Sequence, residues 1–160
     1  MIKRTNCKAL VMAALVAVLL IPAAPRELLS QDAGFTVTAG NQTHRVTMDA
    51  FVNLGLRDFQ ATTRGETRTY TGTPIAEILR HLGINPGSVV NLTFIAADGA
   101  TLTIPAGEVL NPGQGYLTIA EEGEQYTSWE EGGLGPFRLV LAQDQFPQRW
   151  IRNVVTININ

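Results

Sequence analysis

From Gln31 to the C-terminus the sequence carries eight arginines, no lysine, no cysteine, and only His44 and His81 as imidazoles. A guanidinium is a permanently charged planar fork of N–H donors that meets a carboxylate or phosphate two-pronged, so the chemistry open to this set is oxyanion recognition. Arginine-biased coding gives the same composition with no site at all. Arg138, Arg149 and Arg152 lie inside or beside apolar runs, where a guanidinium needs a partner for its charge. Over the same stretch thirteen Asp and Glu residues set the net charge at −5. That balance argues against nucleic acid as a partner, because binding a phosphate backbone needs a positive footprint.

Other chemistries lack their parts. Nucleophilic hydrolysis needs a base beside an activated serine or a paired acid, and neither histidine stands near such a motif. His44 falls in an expected strand. His81 falls near an expected helix C-terminus, where an imidazole meets the helix dipole favourably. Two histidines without a thiol leave no metal site of ordinary zinc spacing, and the sequence has no P-loop or dinucleotide fingerprint.

The elements that must position these residues read mostly as short strands. Residues 35–39 and 44–48 flank Gly40-Asn41-Gln42 as a hairpin, and 49–54 fit a short helix closed by Gly55. Residues 58–63 and 67–70 form a second hairpin across Arg64-Gly65-Glu66. The clearest helix spans about 73–82, with Thr73 as N-cap, Pro74 in the first turn, and Gly83 as the stop. Its apolar face is Ile75, Ile78, Leu79 and Leu82, at three- and four-residue spacing. Residues 89–97 and 100–104 flank Asp98-Gly99, a strong hairpin signal, and 137–142 and 151–159 read as late strands. Residues 121–135, with five glutamates and four glycines, read as a solvated loop or, at that length, a lid or partner-binding segment. The fold class is α+β, β-dominated, in one domain over residues 31–160.

Residues 1–30 differ in kind. Lys3, Arg4 and Lys8 precede thirteen consecutive apolar residues, 9–21, which is the pattern of a signal peptide. The run is shorter than the roughly 20 residues that a membrane-spanning helix needs. Cleavage would leave a periplasmic or secreted domain, and an uncleaved leader would anchor it to the membrane. Cys7, the single cysteine, precedes the apolar run and would leave with the leader. The remaining domain then has neither a disulfide nor a thiolate ligand.

Three further segments stand in a telling order. They are Tyr70-Thr71-Gly72-Thr73-Pro74 running on to Leu79, Phe94-Ile95-Ala96-Ala97-Asp98-Gly99, and Gly135-Pro136-Phe137-Arg138-Leu139-Val140, the last closing in Arg149-Trp150-Ile151-Arg152-Asn153-Val154. Together they resemble the oxidoreductase molybdopterin-binding domain, the sulfite-oxidase fold, in its small stand-alone members. The resemblance implies a molybdopterin cofactor, with basic residues of the last motif helping to hold its phosphate. Arg152 matches the usual lysine position there. A pocket for a pterin or small anion would be lined by Arg64, Arg68, Arg138 and Arg152.

Catalytic members of that family hold molybdenum through one cysteine, in a region represented here by residues 59–64, and no cysteine stands there. Thr62 and Thr63 offer neutral hydroxyls, much weaker ligands than a thiolate. Ala100 also replaces the family's aromatic residue after Asp-Gly. The first reading is an exported domain of this fold that binds a pterin or small anion without conventional redox catalysis. A second is a non-catalytic sensory or protein-interaction module, working with a membrane or exported partner, that uses the fold as a scaffold. A third is an active enzyme in which water, hydroxyl or carboxylate replaces the cysteine.

Overall fold

The computed structural model describes residues 33–160, and the expected leader lies outside the described residues. In chain order the elements are β1 (Gly34–Ala39), β2 (Gln42–Thr47), α1 (Met48–Asn53), β3 (Arg57–Thr63), β4 (Glu66–Pro74) and α2 (Ile75–His81). Then come β5 (Asn91–Ala96), β6 (Thr101–Pro105), α3 (Ala106–Val109), β7 (Gly115–Glu121), β8 (Glu124–Gln125), β9 (Arg138–Leu141) and β10 (Val154–Ile159).

These strands form two sheets. The first runs β2-β1-β10-β5-β6, with the β1–β10 pair parallel and the others antiparallel. Its inner face follows from alternation: Phe35 and Val37, Leu92 and Phe94, and Ile104 and Ile157 are fully buried. The intervening positions carry Thr36, Thr38, Thr93, Thr103 and Thr156, and the hydroxyls of Thr93 and Thr103 meet across the strands at 2.9 Å. The second sheet runs β3-β4-β7, with β8 and β9 both pairing the far edge of β7.

One hydrophobic core takes residues from both sheets and from the helices. At its centre Phe35 from β1, Phe51 from α1 and Phe137 just before β9 meet edge to face, with ring centroids 4.9 to 5.9 Å apart. Such pairs add to simple area burial by about 0.5–1.5 kcal/mol each. Helix α1 is set against this core by the Thr47 hydroxyl, which accepts the Ala50 N–H at 3.2 Å.

The expected hairpins form, and their turns explain them. Arg64 and Gly65 both take positive φ, 52° and 82°, in the two-residue turn between β3 and β4. In the β5–β6 turn the Asp98 carboxylate accepts the Ala100 N–H at 2.9 Å, and Gly99 takes a φ of 84°.

The main helix begins later than its N-cap pattern suggests. Thr73 is fully buried in β4, paired with Leu117, and its hydroxyl caps nothing; Pro74 takes the N-cap position and the helix runs Ile75–His81. Ladder pairing with β7 extends to Pro74 and Tyr116, and it holds Thr73 in extended backbone. Gly72 lies within β4, and a side chain there would press into the Leu117 carbonyl oxygen, so glycine is what lets β4 and β7 close up. Strand β7 and helix α3 have no counterpart among the elements expected from sequence.

The acidic stretch 121–135 is not one open loop. Glu121 ends β7, Glu122 and Gly123 turn with φ of 53° and 80°, and β8 returns along β7. Tyr126 then donates its N–H to the Ile119 carbonyl at 2.9 Å, and Gly133 donates to that of Ser128 at 2.8 Å.

Candidate functional site

Strand periodicity builds one wall of a cleft. Glu66, Arg68 and Tyr70 lie two residues apart on β4 and so share a face. The β3 ladder places Thr63 opposite Glu66 and Phe59 opposite Tyr70, and Glu121 at the end of β7 stands opposite Tyr70 on the other side. Phe59 is stacked on Tyr116, ring centroids 3.8 Å apart, and its ring lies 5.9 Å from that of Tyr70. The chain from Leu134 to Trp150 supplies the rest: Leu134, Arg138 at the start of β9, Pro147 and Trp150. The cleft they enclose, with Thr63, Arg64, Glu66, Arg68, Tyr70 and Glu121, holds about 380 Å³.

Three arginines converge there, and their partners separate them. Arg68 is bonded to Glu121 at 2.6 Å and to Glu66 at 2.8 Å, while Arg138 reaches the other Glu121 oxygen at 3.0 Å. Hydrogen bonds that Arg68 donates to Glu121, then to Glu66, hold its guanidinium far above even its ordinary range. Glu121 and Arg138 have side chains only 16% and 15% exposed, so their pair is shielded from water. Arg64, exposed at the turn tip, makes no ion pair among the described residues.

The aromatic side of the cleft is equally tied. Arg138 lies 5.5 Å from the centre of the Trp150 ring, and Tyr70 meets Trp150 edge-on at 5.6 Å. Burial pushes the Tyr70 phenol up to about 12, with the Glu121 carboxylate adding to the effect. Burial also raises the Tyr126 phenol, which lies 3.1 Å from the Thr118 hydroxyl, and that hydroxyl in turn donates to the Arg138 carbonyl at 3.0 Å.

Three polar atoms of the lining residues are buried without a partner: Arg138 Nε, Trp150 Nε1 and the Thr63 hydroxyl. Two are obligate donors, and a buried donor left unpaired costs about 1–3 kcal/mol. The wall is therefore poorer in acceptors than in donors, even with two carboxylates present.

Of the residues picked out by sequence, Arg64, Arg68 and Arg138 come together and Arg152 does not. Arg152 is exposed and lies outside the cleft lining. Arg149 has a structural post: it pairs with Glu108 of α3 at 2.5 Å and with Asp144 at 3.0 Å, and so clamps the 142–150 segment. Sequence reasoning missed Glu66, Glu121, Tyr70 and Trp150 as site residues. Glu66 was within reach, being two strand positions from Arg68. Glu121 was not, since 53 residues separate it from Arg68.

Among the described residues no group of three or more His, Cys, Asp or Glu side chains comes together to hold a metal. The side chain offered from the end of β3 is the Thr63 hydroxyl, a poor donor to the softer transition metals. A thiolate-held molybdenum centre does not fit this donor set. A ligand of single-ring-system size does, since the cleft falls in the lower part of the roughly 300–1,000 Å³ range of small-molecule sites.

The architecture is a β-dominated α+β, sulfite-oxidase-like fold. Its solved structural neighbours include the sulfane dehydrogenase SoxCD from Paracoccus pantotrophus, on which this chain superposes with a TM-score of 0.62 at 16% sequence identity. The superposition covers 83% of this chain and 39% of that one, so this chain spans well under half the length of its neighbour. No family model matches the sequence, and neither does any curated protein. The likeness is one of fold.

Proposed function

We propose that this is an exported ligand-binding domain on a sulfite-oxidase-like scaffold, taking a pterin or another small acid in the arginine-lined cleft without thiolate-held molybdenum chemistry. The observation that carries the reading is the convergence of Arg64, Arg68 and Arg138 on one cleft beside Trp150 and Tyr70, with unpaired donors in its wall. Guanidinium groups would hold the acidic end of the ligand, and the Trp150 and Tyr70 wall would line its planar body. A bound pterin would contribute a heteroaromatic ring with acceptor nitrogens, the kind of atom that the Arg138 and Trp150 N–H groups lack. The leader composition supports export. No helix among the described residues is long and apolar enough to cross a membrane.

Calorimetric titration with pterin-6-carboxylate and with inorganic phosphate tests this. One-to-one binding of at least one probe, weakened about tenfold or more by alanine replacement of at least one of Arg64, Arg68 and Arg138, is expected from the loss of one charge-assisted contact. Failure of both probes to bind the wild-type domain would sink the reading.

One observation favours the second reading, a protein-interaction module. Trp129 stands 39% exposed within the acidic 121–135 stretch, and an exposed tryptophan is a common anchor at interfaces. If replacing residues 128–131 by a short glycine–serine turn leaves every co-purifying protein in place, this reading loses its support.

A further inference from the structure

The three arginines of the cleft are not equivalent, and the difference specifies the ligand. Arg68 and Arg138 share Glu121 as their common counter-ion, and Arg68 has Glu66 besides. An incoming anion that engaged either one would bring its charge against Glu121, a largely buried carboxylate that already occupies both. Arg64 carries no such counter-ion.

Its backbone is also unusual. Arg64 sits at φ 52° in the first position of a two-residue turn whose second residue is Gly65. Left-handed backbone is unfavourable for a long side chain, and asparagine followed by glycine is the sequence such turns prefer. A residue that strains its own turn, carries an unmatched charge and lines a cleft points to a role in that cleft.

Charge and shape then set the ligand class. The lining holds Arg64, Arg68 and Arg138 against Glu66 and Glu121, a surplus of one positive charge. A single free guanidinium matches one carboxylate two-pronged, whereas a dianion would bring a second charge toward Glu66 and Glu121. Leu134, Pro147, Trp150 and Tyr70 line the rest with apolar and aromatic surface.

We infer that the cleft selects a singly charged aromatic or heteroaromatic carboxylate, and that Arg64 is the residue that captures it. This deepens the ligand-binding reading above and rests on it. Arg68 and Arg138 are the positioning pair, fixed by Glu121.

The test uses the single-tryptophan variant Trp129→Phe, in which Trp150 is the only fluorophore of its kind. Benzoate and inorganic phosphate are titrated against its emission and, in parallel, by calorimetry. Benzoate should bind about tenfold or more tightly than phosphate, a preference of the size one well-matched charge contact provides. Adding Arg64→Asn should weaken benzoate by about tenfold or more while raising Tm by roughly 2–4 °C, because asparagine relieves the turn. Arg64→Lys, which keeps the charge and loses the fork, should fall between the two.

Unchanged benzoate affinity in Arg64→Asn would overturn the inference, and so would phosphate binding more tightly than benzoate. If phosphate binds and depends on Arg138 but not on Arg64, this inference falls while the broader ligand-binding reading stands. If neither probe binds, this inference falls, and the ligand-binding reading falls with it only where pterin-6-carboxylate also fails to bind.

Discussion

The two sheets carry the same strand chemistry and use it differently. The first, β2-β1-β10-β5-β6, buries phenylalanine, leucine and isoleucine on one face and sets threonines at the alternate positions, some satisfying one another. The second, running β3-β4-β7 with β8 and β9 beyond, gathers arginines, glutamates and aromatic rings at one end and leaves Thr63, Arg138 and Trp150 with unpaired buried atoms. Single unpaired buried atoms also occur at His44 in the first sheet and at Thr73 in the second, whereas at the cleft three lining residues share that state, and clusters of this kind collect where a protein meets a ligand.

Substitutions can break that contrast or sharpen it. The largest loss should come from Phe137→Ala, which empties the centre of the shared aromatic cluster and should cost about 3–5 kcal/mol by urea denaturation. Glu121→Ala should separate stability from binding: leaving Arg138 without its carboxylate should cost about 1–3 kcal/mol. The same variant should bind phosphate more tightly, since Arg138 is released and Arg68 keeps only Glu66. If its phosphate affinity falls instead, the view of Glu121 as a competing counter-ion is wrong.

A pH effect should be next. The Tyr70 phenol is raised from 10 to about 12, so the stability it contributes is complete below pH 10 and is lost as the pH rises through 12. Denaturation midpoints in that window should decline less steeply in Tyr70→Phe. The smallest effect belongs to Arg152→Ala, an exposed residue outside the cleft, which should alter stability by less than about 0.5 kcal/mol and leave titrations unchanged. A clear loss of ligand affinity there would restore the role that its motif position implies.

Local chemistry was legible in the sequence. Hairpins at Gly40, Arg64-Gly65 and Asp98-Gly99 follow from turn residues, and the periodicity of Ile75, Ile78 and Leu79 gives helix α2 its buried face. What was hidden depends on pairing across distance. Thr73 resembles an N-cap until β7 claims it, and β7 itself is a mostly apolar run, Tyr116 to Ala120, whose partners lie far away in the chain. The cleft divides the same way: its cations were visible as arginines, while Glu121, which decides how they act, becomes a neighbour of Arg68 only in the folded sheet. Arg138 and Arg152 looked alike beside apolar strands, yet one is shielded against Trp150 and the other faces solvent.

The central claim is that this scaffold keeps an acid-binding cleft without a thiolate-held metal. Its most direct test is elemental analysis of the purified protein, produced in a molybdenum-replete host with residues 1–30 included. The account predicts molybdenum far below one atom per chain. Stoichiometric molybdenum, retained through gel filtration, would contradict it.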